Sequence, residues 1–170
     1  MKDKKIYSIW NSMKYRCNNV STYENCDICD EWLIYDNFEK WYKENYYEVK
    51  GEKMSIDKDI ICLTNSIDKI YSPNTCLILP QRINSLFINI DNLKMYSKSM
   101  SLEYKYQASI SNRGRIITEH FDTKENAIIW YKFNKRLLIE SVVNDYYNKG
   151  KLSKYAYEKI NEFLEKTMFI

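Results

Sequence analysis

Two aspartates flank a lysine in Asp57-Lys58-Asp59. Carboxylate oxygens at that spacing suit a hard divalent cation, because Mg2+ commonly takes one or two protein carboxylates and keeps water in the rest of its shell. Asp57 and Asp59 are therefore the candidate metal ligands for Mg2+, set against the ordinary reading of two solvated loop carboxylates. Five cysteines offer a second chemistry. Cys26-x-x-Cys29 is the one close pair, while Cys17, Cys62 and Cys76 stand apart. A structural Zn2+ site built from Cys17, Cys29 and Cys76 with a fourth ligand is one reading, and buried free thiols packed beside Trp10 and Trp32 are the other. The single histidine, His120, lies far along the chain from these groups and reads as a structural or surface residue beside Phe121.

The elements that would position these residues follow from hydrophobic spacing. Ile6, Ile9, Trp10, Met13 and Cys17 recur at helical intervals, which predicts a helix over about residues 6–17. An Asx-to-glutamate capping spacing at Asp36–Glu39, followed by Trp41 and Tyr42, predicts a second helix over about 37–46. Short β-branched runs at 54–62 and 67–71 predict a small hairpin, and Pro80 predicts the first turn of a helix carrying Ile83, Leu86 and Phe87. Beyond Asn92 the pattern changes: Tyr104, Tyr106, Ala108 and Ile110 alternate with polar residues, Asn112-Arg113-Gly114 predicts a turn, and 115–121 a returning strand. Asp122 and Glu125 have capping-box spacing before a long helix ending near Gly150, and Ser153 is placed to cap a last one. The expected organisation is α+β, with one module over residues 1–95 and a second over 100–170.

Composition narrows the class. A chain of 170 residues with 45% hydrophobic content can bury a core, and it contains no apolar run long enough for a membrane span. The opening Met1-Lys2-Asp3-Lys4-Lys5 leads into a polar-interrupted segment instead of a signal-peptide core, which predicts a cytoplasmic protein with reduced thiols. Residues 1–100 hold 14 basic and 14 acidic side chains, and residues 101–170 hold 12 and 9. The surplus therefore sits in the C-terminal part. It permits nucleic-acid binding and argues against a strong non-specific coat of DNA. The abundance of Lys, Ile, Asn and Tyr hints at an AT-rich coding sequence of a low-GC bacterium or its phage.

The spaced pattern Trp10-x-x-Met13-x-x-Arg16-Cys17, Cys29-x-x-Trp32, Phe38-x-x-Trp41, Ser55-Ile56-Asp57-Lys58-Asp59, Tyr71-Ser72-Pro73-x-x-Cys76 and Asn84 resembles phage HNH-endonuclease-like proteins. The C-terminal Tyr106-Gln107-Ala108-Ser109-Ile110, followed by Phe121-Asp122-Thr123-x-x-x-Ala127 and Tyr131, resembles an APETALA2-type DNA-binding domain. The first resemblance implies a ββα module in which a histidine activates water, an asparagine orients it and further side chains hold a divalent metal on the phosphate. Its Asp-His pair falls on Asp57-Lys58, its central asparagine near Thr75, and its helix asparagine on Asn84. A lysine, protonated at neutral pH, thus occupies the position of the general base. The second resemblance implies a sheet whose wet face enters the major groove, with Ala108 and Ile110 facing the helix and Lys105, Gln107, Ser109, Arg113 and Arg115 toward DNA.

These readings converge on a phage-type protein built on a degenerate nuclease scaffold that binds double-stranded DNA without cutting it. Two alternatives stand beside it. One is an active nuclease that uses Asp57, Asp59 and Asn84 with a divalent metal and an unusual base. The other is a counter-defence protein acting in the host cytoplasm on a host protein or a signalling nucleotide, favoured by the near-neutral N-terminal part.

Overall fold

The computed structural model describes residues 3–88, 97–98 and 103–167. The fold is α+β, and the chain divides into two compact units, residues 1–81 and 82–170. The module boundary expected around 92–100 lies largely outside the described residues.

The first unit opens with α1 (Lys4–Asn19), which starts earlier than its apolar spacing suggests because Asp3 caps it: Asp3 Oδ1 accepts from the amides of Lys5 at 2.8 Å and Ile6 at 3.1 Å. A 3-10 turn (Ser21–Tyr23) leads to β1 (Cys26–Ile28), α2 (Asp30–Leu33) and α3 (Tyr35–Asn45). The capping box expected at Asp36–Glu39 does not form. α3 begins at Tyr35, and Glu39 instead accepts from the Asp3 amide at 3.2 Å and pairs with Lys43 at 3.1 Å. Trp10 donates its indole N–H to the Trp32 carbonyl at 2.7 Å, and around this bond Met13, Trp32, Phe38, Tyr42 and Tyr71 form the unit's buried core.

The expected hairpin over 54–62 and 67–71 is replaced by a different pairing. Only Met54–Asp57 is a strand (β2); Asp57 then accepts the Ile60 amide at 3.0 Å and starts α4 (Asp59–Asn65), so Ile60, Ile61 and Cys62 are buried as a helix. The β-branched character of Ile60 and Ile61 is overridden by the cap and by burial. α4 ends on Ser66, whose φ of 52° is left-handed. β3 (Lys69–Tyr71) then pairs in parallel with β1, and β4 (Leu77–Pro80) pairs antiparallel with β2, Asp57 opposite Leu77 and Met54 opposite Pro80. Pro80 thus ends a strand, with α5 (Gln81–Asn84) following directly and the division between units falling inside it.

In the second unit, β5 (Ser97–Lys98), β6 (Tyr106–Asn112) and β7 (Arg115–Phe121) form one antiparallel sheet in the order β5-β6-β7. Arg113 (φ 50°) and Gly114 (φ 81°) make the two-residue turn between β6 and β7, both in the left-handed region that matches strand twist. α6 (Lys124–Asn148) packs on β6, burying Ala108, Ile110 and Ala127. Its cap is Thr123, which accepts the Asn126 amide at 3.2 Å, and not Asp122. α7 (Lys154–Thr167) is capped by Ser153, as its position predicts, and buries Ala156, Ile160, Phe163 and Leu164. Among the described residues no helix is long and apolar enough to cross a membrane.

Candidate functional site

Lys58 sits at the junction of β2 and α4 with only 4% of its surface exposed. Its ammonium donates to both oxygens of Asp59, at 3.0 and 3.1 Å, and lies 4.9 Å from the centre of the Tyr23 ring and 5.2 Å from that of Tyr71. Arg16, from α1, stands over the same two rings and donates to the Tyr71 hydroxyl at 3.2 Å. Four segments distant in sequence thus converge on one cation–aromatic cluster. Burial alone would lower the Lys58 pKa, but the charge and hydrogen bonds of Asp59 outweigh it and hold the amine above its ordinary range. The amine therefore keeps its proton at neutral pH and cannot accept one from water.

The neighbouring groups are equally committed. Asp57 is buried, and desolvation raises its pKa to about 6 although the Ile60 amide stabilises its charge. Asp59 bridges Lys58 and Lys69, the latter at 3.6 Å. With Asp57 holding a helix amide and Asp59 neutralised by two ammonium groups, the pair does not fit the Mg2+ site expected of them, since each bound cation would have to be displaced or each amide abandoned. Thr75, at the central position, is buried in the turn after β3. It donates to the Ile70 carbonyl at 2.5 Å and meets Ser72 Oγ at 2.8 Å, so its hydroxyl orients the turn. Asn84 ends α5 in the second unit.

The cysteines do not assemble as a zinc site. Among the described residues no three His, Cys, Asp or Glu side chains stand close enough to share a metal ion. Cys17 instead lies beside Cys26, with 3.7 Å between the sulfurs, and Cys26 is pushed up to about 12, chiefly by burial. Cys29 and Cys76 are free thiols, Cys76 fully enclosed. Arg16 and Tyr71 were legible only as members of the spaced pattern; Tyr23 carried no signal, because its role arises from folding onto Lys58.

In the second unit, directly opposed residues of an antiparallel pair share a face. Gln107 and Ser109 lie opposite His120 and Thr118 on the face turned away from α6, where Ser109 and Thr118 join hydroxyls at 2.7 Å. Lys105 is exposed just before β6, and Arg113 is exposed at the turn. Ala108 and Ile110 face the helix, as expected. Arg115 parts from this group. It opposes Asn112 and shares the face of Ile110, so the register places its side chain on the α6 side of the sheet, where it is exposed beyond the helix-covered portion. Arg82 donates to Asn112, and on α6 burial, aided by the charge of Arg82, lowers the pKa of Lys135, which puts two further cations near the hairpin tip. Compared with known proteins, the chain matches no family model, no curated protein and no solved structure.

Proposed function

We propose that this chain is a phage-type DNA-binding protein of the host cytoplasm, built on a nuclease-like scaffold whose catalytic position has been closed. The observation that carries the binding half is the uncovered face of the β5-β6-β7 sheet. It is backed by a long helix and presents Gln107 and Ser109 between the cations Lys105 and Arg113. Gln and Ser side chains donate to and accept from base edges, and the flanking cations neutralise phosphates. Arg113 holds a left-handed conformation in which asparagine or glycine is the usual occupant, so the turn tolerates a small strain while carrying a guanidinium at the tip. The absence of cleavage follows from the sealed, protonated Lys58 and from the prior commitments of Asp57, Asp59 and Thr75.

A titration of fluorescent duplex DNA at two salt concentrations tests the binding. Salt-sensitive association is expected, with Lys105→Ala and Arg113→Ala each weakening it several-fold. No salt-sensitive association at micromolar protein would end the proposal. Supercoiled plasmid incubated with Mg2+ or Mn2+ should stay intact, and metal-stimulated nicking abolished by Asp57→Ala would replace this reading with an active nuclease.

A further inference from the structure

The outer strand of the second unit's sheet carries a self-complementary pattern. Among the described residues β7 is an edge strand, seven residues long, with Ile116 66% and Ile117 57% exposed. Long apolar edges of this kind are ready templates for another strand, and proteins ordinarily shield them with charge, bulges or a covering element. The two-residue turn makes Asn112–Arg115 the closing hydrogen-bonded pair. By the alternation of an antiparallel ladder, Ile117 and Glu119 also direct their backbone groups toward β6, whereas Ile116 and Thr118 direct theirs outward.

We propose that β7 pairs antiparallel with β7 of a second copy of this chain, about a two-fold axis at Ile117, to form a continuous six-stranded sheet. In that register Ile116 of each copy exchanges backbone hydrogen bonds with Thr118 of the other, and Ile117 meets its own counterpart. Arg115 faces Glu119 across the axis, twice, so opposite charges meet at both ends of the paired segment. All three side chains lie on the face covered by α6, and Arg115 and Glu119 are exposed. A one-residue change of register would lose the match, because the charge pattern is symmetric about Ile117 alone.

The helix supplies the remaining area. Trp130 of α6 packs on Phe121 of β7, with ring centres 6.0 Å apart, and Phe133 and Leu137 follow Trp130 on the same side of the helix. Phe133 and Leu137 are about half exposed, on the flank of the helix that Trp130 turns toward β7. Together with Ile117 these side chains add apolar surface toward the ~800 Å2 that each partner gives to a standard interface. The strand edge and its polar flanks provide the rest. A two-fold interface closes on itself, so the pairing ends at a dimer and does not propagate.

Sedimentation equilibrium of the full chain tests this, with Arg115→Glu, Glu119→Arg and the double variant compared against wild type. The wild type is expected to dimerise in the micromolar range, each single variant to weaken association by about tenfold or more through like-charge juxtaposition, and the double variant to restore it. An independent readout is Ile117→Cys. The non-hydrogen-bonded position brings the two Cα atoms to about 4.5 Å, and mild oxidation with oxidised glutathione should link that position to its symmetry mate, read by peptide mapping. A wild type that stays monomeric, single variants that dimerise normally, or a double variant that fails to recover would each overturn the proposal.

Discussion

Asp57 and Lys58 are adjacent and both buried, and both pKa values are raised, which disfavours the charge on Asp57 and favours the charge on Lys58. For Asp57, desolvation raises the folded pKa from 3.8 to about 6, so the folded chain holds the proton more tightly than the unfolded one. Stability from this group is fully present below the unfolded value, falls as pH rises from about 4 to 6, and is lost above the folded pKa, a swing on the order of 2–3 kcal/mol. Asp57→Asn keeps an oxygen for the Ile60 amide and removes the charge. Chemical denaturation from pH 4 to 7 should therefore show a flatter profile for this variant and, at pH 7, a gain of about 1–2 kcal/mol. Lys58→Met preserves much of the stem's packing but leaves Asp59 without its closest cation. A loss of about 1–2 kcal/mol is expected from the same measurement, and an unchanged midpoint would remove the cluster from any account of the first unit's stability.

At the level of elements, caps decide where segments begin. Thr123→Ala should cost about 1 kcal/mol by removing the acceptor of the Asn126 amide, whereas Asp122→Ala should cost far less. Thermal melts of the two variants distinguish them. The β6–β7 turn offers a case in which stability and binding separate: Arg113→Asn puts the preferred residue at a left-handed position and should raise stability by a few tenths of a kcal/mol while weakening DNA binding. A variant improved in both would argue that the guanidinium at the tip has no binding role. Much at this scale was legible. The α1 stripe, the hairpin, the long helix and the Ser153 cap all arise from near neighbours, and they form close to where spacing places them. The 54–71 segment was misread as a hairpin because Ile60, Ile61 and Cys62 have strand-like chemistry, and only the Asp57 cap and the burial of α4 turn them into helix.

For the whole molecule, dimerisation through β7 carries a thermodynamic consequence. Association confined to the folded state makes the melting temperature rise with protein concentration. Calorimetry over a tenfold or wider range of the full chain should show that rise for wild type and lose it for Arg115→Glu. Such a dimer would also double the uncovered sheet face, placing two copies of Gln107, Ser109 and Arg113 on one scaffold, so DNA affinity and its salt slope should fall together when the strand edge is disrupted.

Local order in the chain established the α+β class, the helix-backed hairpin and the presence of a lysine between two aspartates, since each depends on residues a few positions apart. What neighbours could not convey was enclosure. Lys58 is sealed because Tyr23, Asp59 and Tyr71 close over it, and β2 pairs with β4 while β3, nearer in sequence, pairs with β1. Burial and strand pairing are properties of chain segments that meet only after folding, so the dielectric around a titratable group, and with it the chemistry that group can perform, belongs to the tertiary structure.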